Sequence, residues 1–299
     1  MKRKTYLRNQ MQYYSMLLIP LGILLVFDIT PMFGLVMAFQ NYKPTLGFLG
    51  SNWIGLGNFE FILQLPEIWR LAGNTLEIAV LKIVCDLTIP VIFALILNEV
   101  KNQKYKRTVQ TIVYLPHFLS WVILATLFRN LLSSDGVINQ VIRFLGGETI
   151  YPFTDNRLYV PFLIITDAWK GFGYGAIIYL AAITGIDPAL YESAMMDGAT
   201  RIQRIVHITI PGIMPIIVLK TMMSLGSILN AGFDQIFATY NPLVYETGDI
   251  IDTYIYRFGL VQRQYSLSAA IGMIKSVIAA ILILISNFLA TKFSDYRVF

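Results

Sequence analysis

The chain of 299 residues has a single cysteine, Cys85, and only two histidines, His117 and His207. One cysteine excludes an internal disulfide, and the pair of histidines lacks metal-site spacing. Charge is equally scarce: Asp, Glu, Lys and Arg make up 14% of the residues, where soluble domains carry about 25%. No Gly-x-x-x-x-Gly-Lys-Ser/Thr run is present, so a phosphate-cradling loop is not expected. The cluster Gly171-Phe172-Gly173-Tyr174-Gly175 lies inside an apolar helix rather than after a strand, and its role is read as close helix packing or local flexibility. A Ser-His-Asp constellation is missing too, so an enzyme is not expected.

Apolar residues are abundant: 56% of the chain, with a mean hydropathy of +0.61. The excess of basic residues, a net charge of +5, forms no aromatic-interleaved patch and gives no reason to expect nucleic acid. It sits in short segments between apolar runs, as membrane topology requires. Six runs reach the roughly 20 residues a helix needs to cross a bilayer. They cover about Ser15–Phe39, Asn74–Leu97, Val109–Leu131, Leu158–Ile183, Gly212–Asp234 and Ser268–Thr291.

The fold class expected is an all-α, multi-pass membrane protein with six spans. Residues 1–14 form a cytoplasmic N-terminal segment, 15–291 the membrane domain and 292–299 a cytoplasmic tail. With both termini inside, the inner segments carry Lys2, Arg3, Lys4, Arg8, Lys101, Lys104, Lys106, Arg107, Arg201, Arg204, Lys292 and Arg297. The outer ones carry half as many: Lys43, Arg70, Arg143, Arg157, Arg257 and Arg263. That asymmetry sets the orientation. Tyr13, Tyr14, Trp53, Trp69, Tyr151 and Tyr159 fall near span ends, where amphipathic rings favour the interface.

One inner connection, about 185–211, is more than a linker. Asp187 is placed to cap a helix opened by Pro188, Gly198 to end it in a left-handed turn, and Thr200 with Gln203 to form a capping box for a second helix. Pro211 is expected to interrupt continuation into the fifth span. An amphipathic loop resting on headgroups and a rigid contact for a cytoplasmic partner both fit these signals.

The residues Glu192-Ser193-Ala194, Asp197-Gly198-Ala199, His207-Ile208-Thr209-Ile210-Pro211 and Pro215 resemble the Glu-Ala-Ala signature of binding-protein-dependent ABC importer permeases. Ser193 departs from the alanine of that signature, and Ile205 stands where an aromatic is frequent. Asn41-Tyr42-Lys43, the run Trp53 to Phe59 and Tyr114-Leu115-Pro116 are similar to the carbohydrate branch, nearest to members handling complex plant or algal oligosaccharides.

The resemblance implies a type I importer fold in the bacterial cytoplasmic membrane, surrounded by lipid. It also implies a second permease subunit (a heterodimer), two ATPase subunits and an extracellular solute-binding protein. ATP and Mg would be bound by the ATPase, leaving this chain without a cofactor. Glu192, Ala194, Asp197, Gly198 and Ala199 would lie at the ATPase contact.

Polar residues inside spans are costly and face cavities or one another. The set comprises Glu77, Lys82, Asp86, Arg129, Asp167, Lys170, Lys220, Asn230, Asp234 and Lys275. Lys82 and Asp86, four apart, are spaced to pair on one helix face. Asp167, Trp169, Lys170, Tyr174, Lys220 and Asn230 are the candidates for a sugar path, offering hydrogen bonds for hydroxyls and rings for stacking. Lys170, Lys220 and Lys275 would favour acidic sugars. Two other readings are open at this stage: an ion-gradient-driven secondary transporter using Glu77, Asp86 and Asp167, or an ABC permease for a non-sugar solute.

Overall fold

The computed structural model describes residues 2–226 and 228–293, so the expected tail lies outside the described residues from 294 onward. Among the described residues, four stretches are long and apolar enough to cross a membrane: Tyr13–Phe39, Pro66–Asn98, Arg201–Gly226 and Tyr265–Ile285. Two bent pairs raise the number to six when each is taken as one span: Gln103–Phe118 with Trp121–Leu131, and Asn156–Thr184 with Pro188–Met196.

The chain forms two compact units, one of Met1–Pro66 with Ile255–Ile274, the other of Glu67–Tyr254 with Lys275–Phe299. In the first unit, helix α1 (Lys2–Leu24) begins within the segment expected to precede the span. A small antiparallel pair, Gln40–Asn41 with Asn52–Trp53, follows, and the Phe39 ring stacks on Trp53 at 5.7 Å. Asn58 locks it by donating to the carbonyls of Ala38 (2.8 Å) and Gln40 (3.0 Å).

The second unit contains α2 (Pro66–Asn98), α3 (Gln103–Tyr114), α4 (Trp121–Leu131), α5 (Asn156–Thr184), α6 (Pro188–Met196), α7 (Arg201–Arg204), α8 (Ile210–Gly226) and α9 (Phe233–Thr239). Helix α10 (Tyr265–Phe293) contributes residues to both units. Two apolar clusters fill this unit, one around Tyr159, Leu163, Ile236 and Ile250, the other around Tyr179, Leu97, Ala176 and Ile213. Tyr159, expected at the interface, is fully buried, and its hydroxyl shares a hydrogen bond with Thr239 at 2.8 Å.

Three expectations about continuity change. The third span is not one helix from Val109 to Leu131. After α3 a short 3₁₀ turn, Leu115–Phe118, carries Pro116, Leu119 turns extended, and Ser120 caps α4 by accepting from the Ile123 amide. The two parts meet at 101°. A proline ring beside a fresh capping residue ends one helix and starts another.

The fifth span is likewise not helical through to Asp234. Helix α8 ends at Gly226 and α9 begins at Phe233, after Gly232 takes φ +88°.

Pro211, by contrast, interrupts nothing: the helix runs from Arg201 to Gly226. A π turn at Ile205–Thr209 directly precedes the proline, and the Ile210 amide reaches back to the Ile205 carbonyl. The wider turn moves backbone away from the ring. The same device precedes Pro31, after the π turn Leu25–Ile29.

Of the glycines in the 171–175 cluster, Gly173 is the most closely packed, and Gly175 is tight as well, since an added Cβ would lie 3.2 Å from the Pro90 ring. A Cβ at Gly173 would collide with the Val113 backbone, whereas one at Gly171 would meet only Asp86 at 3.7 Å. Gly173→Val is therefore expected to force α3 and α5 apart and lower stability by about 1–3 kcal/mol. A thermal melt of the purified protein in detergent should show the drop, with Gly171→Ala near wild type.

Candidate functional site

The first candidate site is the turn between α6 and α7. Asp187 accepts from the Ala189 amide at 2.9 Å, and Pro188 occupies the first helical position, where its missing N–H is harmless. At the other end Gly198 adopts φ +80°. Its amide donates to Met195 (3.1 Å), and the Ala199 amide donates to Ala194 (2.9 Å). These two bonds form a Schellman motif, satisfying carbonyls that a helix end otherwise leaves open. Thr200 and Gln203 complete a capping box, and α7 starts there.

Two contacts make the pair rigid against the following span. The hydroxyls of Tyr191 and Thr209 share a hydrogen bond at 2.9 Å, and Ile186 packs so closely on Gly212 that a side chain there would clash. The result is a concavity of ≈ 320 Å³ lined by Ala194, Asp197, Gly198, Ala199, Arg204 and His207, among others. Four of the five residues expected at a partner contact thus share one surface. Glu192 lies exposed on α6 outside that lining, and Met196 projects almost fully into solvent.

The second candidate site is a cluster of polar and aromatic side chains midway along α5. Asp167, Lys170 and Tyr174 are spaced i, i+3 and i+7, which aligns them on one helical stripe. Asp167 and Asn230 line a cavity of ≈ 200 Å³ together with Lys82, Asp86, Ser224 and Gly232.

Lys82 does not pair with Asp86 as its spacing suggested. Its ammonium lies 3.5 Å from Asp167 Oδ1, donates to the Ala231 carbonyl at 3.0 Å, and makes a short contact to Gln235 Oε1. Gln235, wholly buried, donates onward to the Leu163 carbonyl and to Thr166 Oγ1, at 2.8 and 2.9 Å. Lys82 therefore joins three helices and satisfies backbone at the break before α9. Asp86 is left to interact electrostatically with Lys220 as well as Lys82.

Further along α5 is an aromatic platform. The His117 and Tyr174 rings stack at 4.0 Å with 3° between planes. Lys170 Nζ donates to the His117 carbonyl at 2.8 Å and sits 5.5 Å above the Trp121 ring. Trp169 meets Phe128 edge-on at 5.9 Å instead, so it does not join the Lys170 group.

Lys275 is removed from the set of available cations: Asp252 holds it through both carboxylate oxygens, at 2.6 and 2.7 Å. Arg129 donates to the carbonyls of Ala238 and Thr239, so it caps the end of α9. Gln235, Asp252, His117 and Trp121 were not among the expected site residues. Only Trp121, a ring at a helix start next to Ser120, carried a local signal.

Residues 86–296 match the family described as "Binding-protein-dependent transport system inner membrane component". The polygalacturonan/rhamnogalacturonan transport system permease protein YteP of Bacillus subtilis is 41% identical over 302 residues, covering 100% of this chain and 94% of that protein. The crystal structure of a bacterial ABC transporter involved in the import of the acidic polysaccharide alginate contains a chain that superposes with a TM-score of 0.89 at 39% identity, over 98% of this chain and 100% of that one. A second structure, of a bacterial alginate ABC transporter in complex with an alginate pentasaccharide-bound periplasmic protein, gives 0.90 at 39% identity, over 98% and 99%.

Proposed function

The chain belongs to the binding-protein-dependent transport system inner membrane component family, and on that premise we propose that it is the permease subunit through which an ABC importer passes oligosaccharides, acidic ones included. An extracellular solute-binding protein delivers the sugar, and a second permease completes the pathway. Two ATPase subunits bind ATP and Mg and hydrolyse the nucleotide, while this chain contributes no catalysis. The N-terminus and the α6–α7 turn lie on the cytoplasmic side, consistent with the distribution of Lys and Arg.

The observation that carries this reading is the α6–α7 geometry: a short helix closed at both ends, fastened to a span, with a concavity beside it. A rigid element of that kind transmits displacement, because its end groups are satisfied internally and it has no slack to absorb motion. Ala194, Asp197, Gly198 and Ala199 shape the contact, and Glu192 supplies exposed charge for the ATPase. On the membrane side, Asp167, Asn230, Lys170, Tyr174 and Lys220 are the path residues, and Trp169 packs on Phe128 apart from them.

The test is ATP hydrolysis by the reconstituted complex of both permeases, the ATPase and the binding protein. Hydrolysis is expected to rise on adding binding protein loaded with oligosaccharide. Glu192→Lys is expected to reduce that stimulation about tenfold by reversing a charge at the interface, while the subunits still co-purify. Uptake by this chain alone, driven by an ion gradient with no ATPase present, would overturn the reading.

A further inference from the structure

We propose that Lys170, set against Trp121 and the His117–Tyr174 stack, is the subsite that reads the carboxylate of a uronate unit as the oligosaccharide crosses the membrane. The proposal rests on the oligosaccharide reading above and adds the residue that discriminates charge.

Depth comes first. Lys170 is the fifteenth of the 29 residues of α5, so it lies at the middle of a helix about 43 Å long. A cation at that depth does not face lipid; it faces a partner or a hydrated cavity. Lys170 is half-buried, and Tyr174, one turn further, is 47% exposed.

Charge comes second. The carboxylates nearest the cavity are Asp86 and Asp167, and both have cations set against them. Asp167 lies 3.5 Å from Lys82, and Asp86 interacts with Lys220 and Lys82. Lys275 is held by Asp252. Three cations, Lys82, Lys220 and Lys170 (which also interacts electrostatically with Asp167), thus stand against two carboxylates, so one positive charge is left over in this cluster. The hydrogen bond from Lys170 to the His117 carbonyl uses one of three ammonium donors, so two remain for an incoming carboxylate.

Chemistry comes third. A pyranose ring has an apolar face that packs on aromatics, and a uronate adds one carboxylate at the ring edge. The Trp121 ring lies against the ammonium, and Tyr174, stacked on His117 through one face and met edge-on by Phe118 at 6.3 Å, is half exposed and offers its other face. Stacking fixes the sugar, and the ammonium distinguishes a carboxylate from a neutral hydroxymethyl by a charge-assisted bond.

The test uses the complete reconstituted transporter in vesicles and compares uptake of an oligogalacturonate with its methyl-esterified form. Esterification removes the charge and leaves every ring hydroxyl in place. Lys170→Gln retains a donor for the His117 carbonyl, so the local fold is kept. Binding-protein delivery is common to variant and wild type, so the variant-to-wild-type ratio for each substrate reports the permease.

The ratio of uronate to ester uptake is expected to fall about tenfold, and Lys170→Arg is expected to restore it. An equal fall for both substrates, or for neither, would overturn the carboxylate subsite and leave the oligosaccharide reading standing. So would a wild-type complex that carries only the neutral ester. A wild-type complex stimulated by no oligosaccharide at all would overturn the reading itself, and this proposal with it.

Discussion

Substitutions at Gly198 are expected to uncouple ATP hydrolysis from transport in an order set by backbone conformation: Asn nearest to wild type, Ala intermediate, Val and Pro reduced to the unstimulated rate. A Cβ at Gly198 meets nothing within 4 Å, so steric crowding cannot produce this order. What remains is φ +80°, which costs an ordinary L-residue about 1–2 kcal/mol and a β-branched one more. Asn tolerates the left-handed region, so its penalty is small. Proline fixes φ near −65° and also removes the amide that donates to Met195 at 3.1 Å, so the turn loses conformation and bond together.

The measurement is sugar-stimulated hydrolysis in the reconstituted complex, with co-purification of the ATPase recorded alongside. If Val behaves like Asn, the turn does not carry the coupling. If Ala is already inactive while the complex stays assembled, the contact surface itself, and not its conformation, is what matters.

The second large effect is structural. Lys82→Met is expected to destabilise the protein by about 3–5 kcal/mol, because it leaves the partly buried Asp167 carboxylate and the Ala231 carbonyl without their cation. Asp167→Asn alone is expected to cost less, since Lys82 keeps Ala231 and Gln235 as partners. Combining the two substitutions should recover part of the loss, because the uncompensated carboxylate is gone. Thermal melting of purified protein and the yield of assembled complex both report on this. A double variant no more stable than Lys82→Met would place the cost in the Ala231 carbonyl rather than in the ion pair. Gly232→Ala should resemble Lys82→Met, since a Cβ at that position would occupy the space of the ammonium.

These two predictions differ in how much of their basis was visible before folding. The α6–α7 turn is a local object. Every bond that shapes its helix ends joins residues a few positions apart, from Asp187 with Ala189 to Thr200 with Gln203, and only the Tyr191–Thr209 bond that fastens it to the span reaches further. Local chemistry of this kind is written in the order of the residues, which is why Gly198, the capping box and the surrounding signature were legible together.

The same holds for the spans: burying helical backbone in lipid needs about 20 apolar residues in a row, and composition alone reveals such runs. Where each span breaks was harder. A proline predicts a weak point, but Pro116 ends a helix while Pro211 does not, because a π turn relieves the second.

The mid-span site was legible only as a list of costly polar residues. Spacing of four put Lys82 beside Asp86, yet the ammonium turned to Asp167, to Gln235 and to an unwound carbonyl 149 residues away. A charge within the membrane takes the partners that desolvate best around it, and those come from other helices. Span number, the signature turn and the inventory of intramembrane charges were determined by the sequence itself, because they depend on length, local bonding and composition. Which carboxylate each cation meets and where the fifth span unwinds were decided by tertiary structure, because each depends on groups that meet only once the helices have packed.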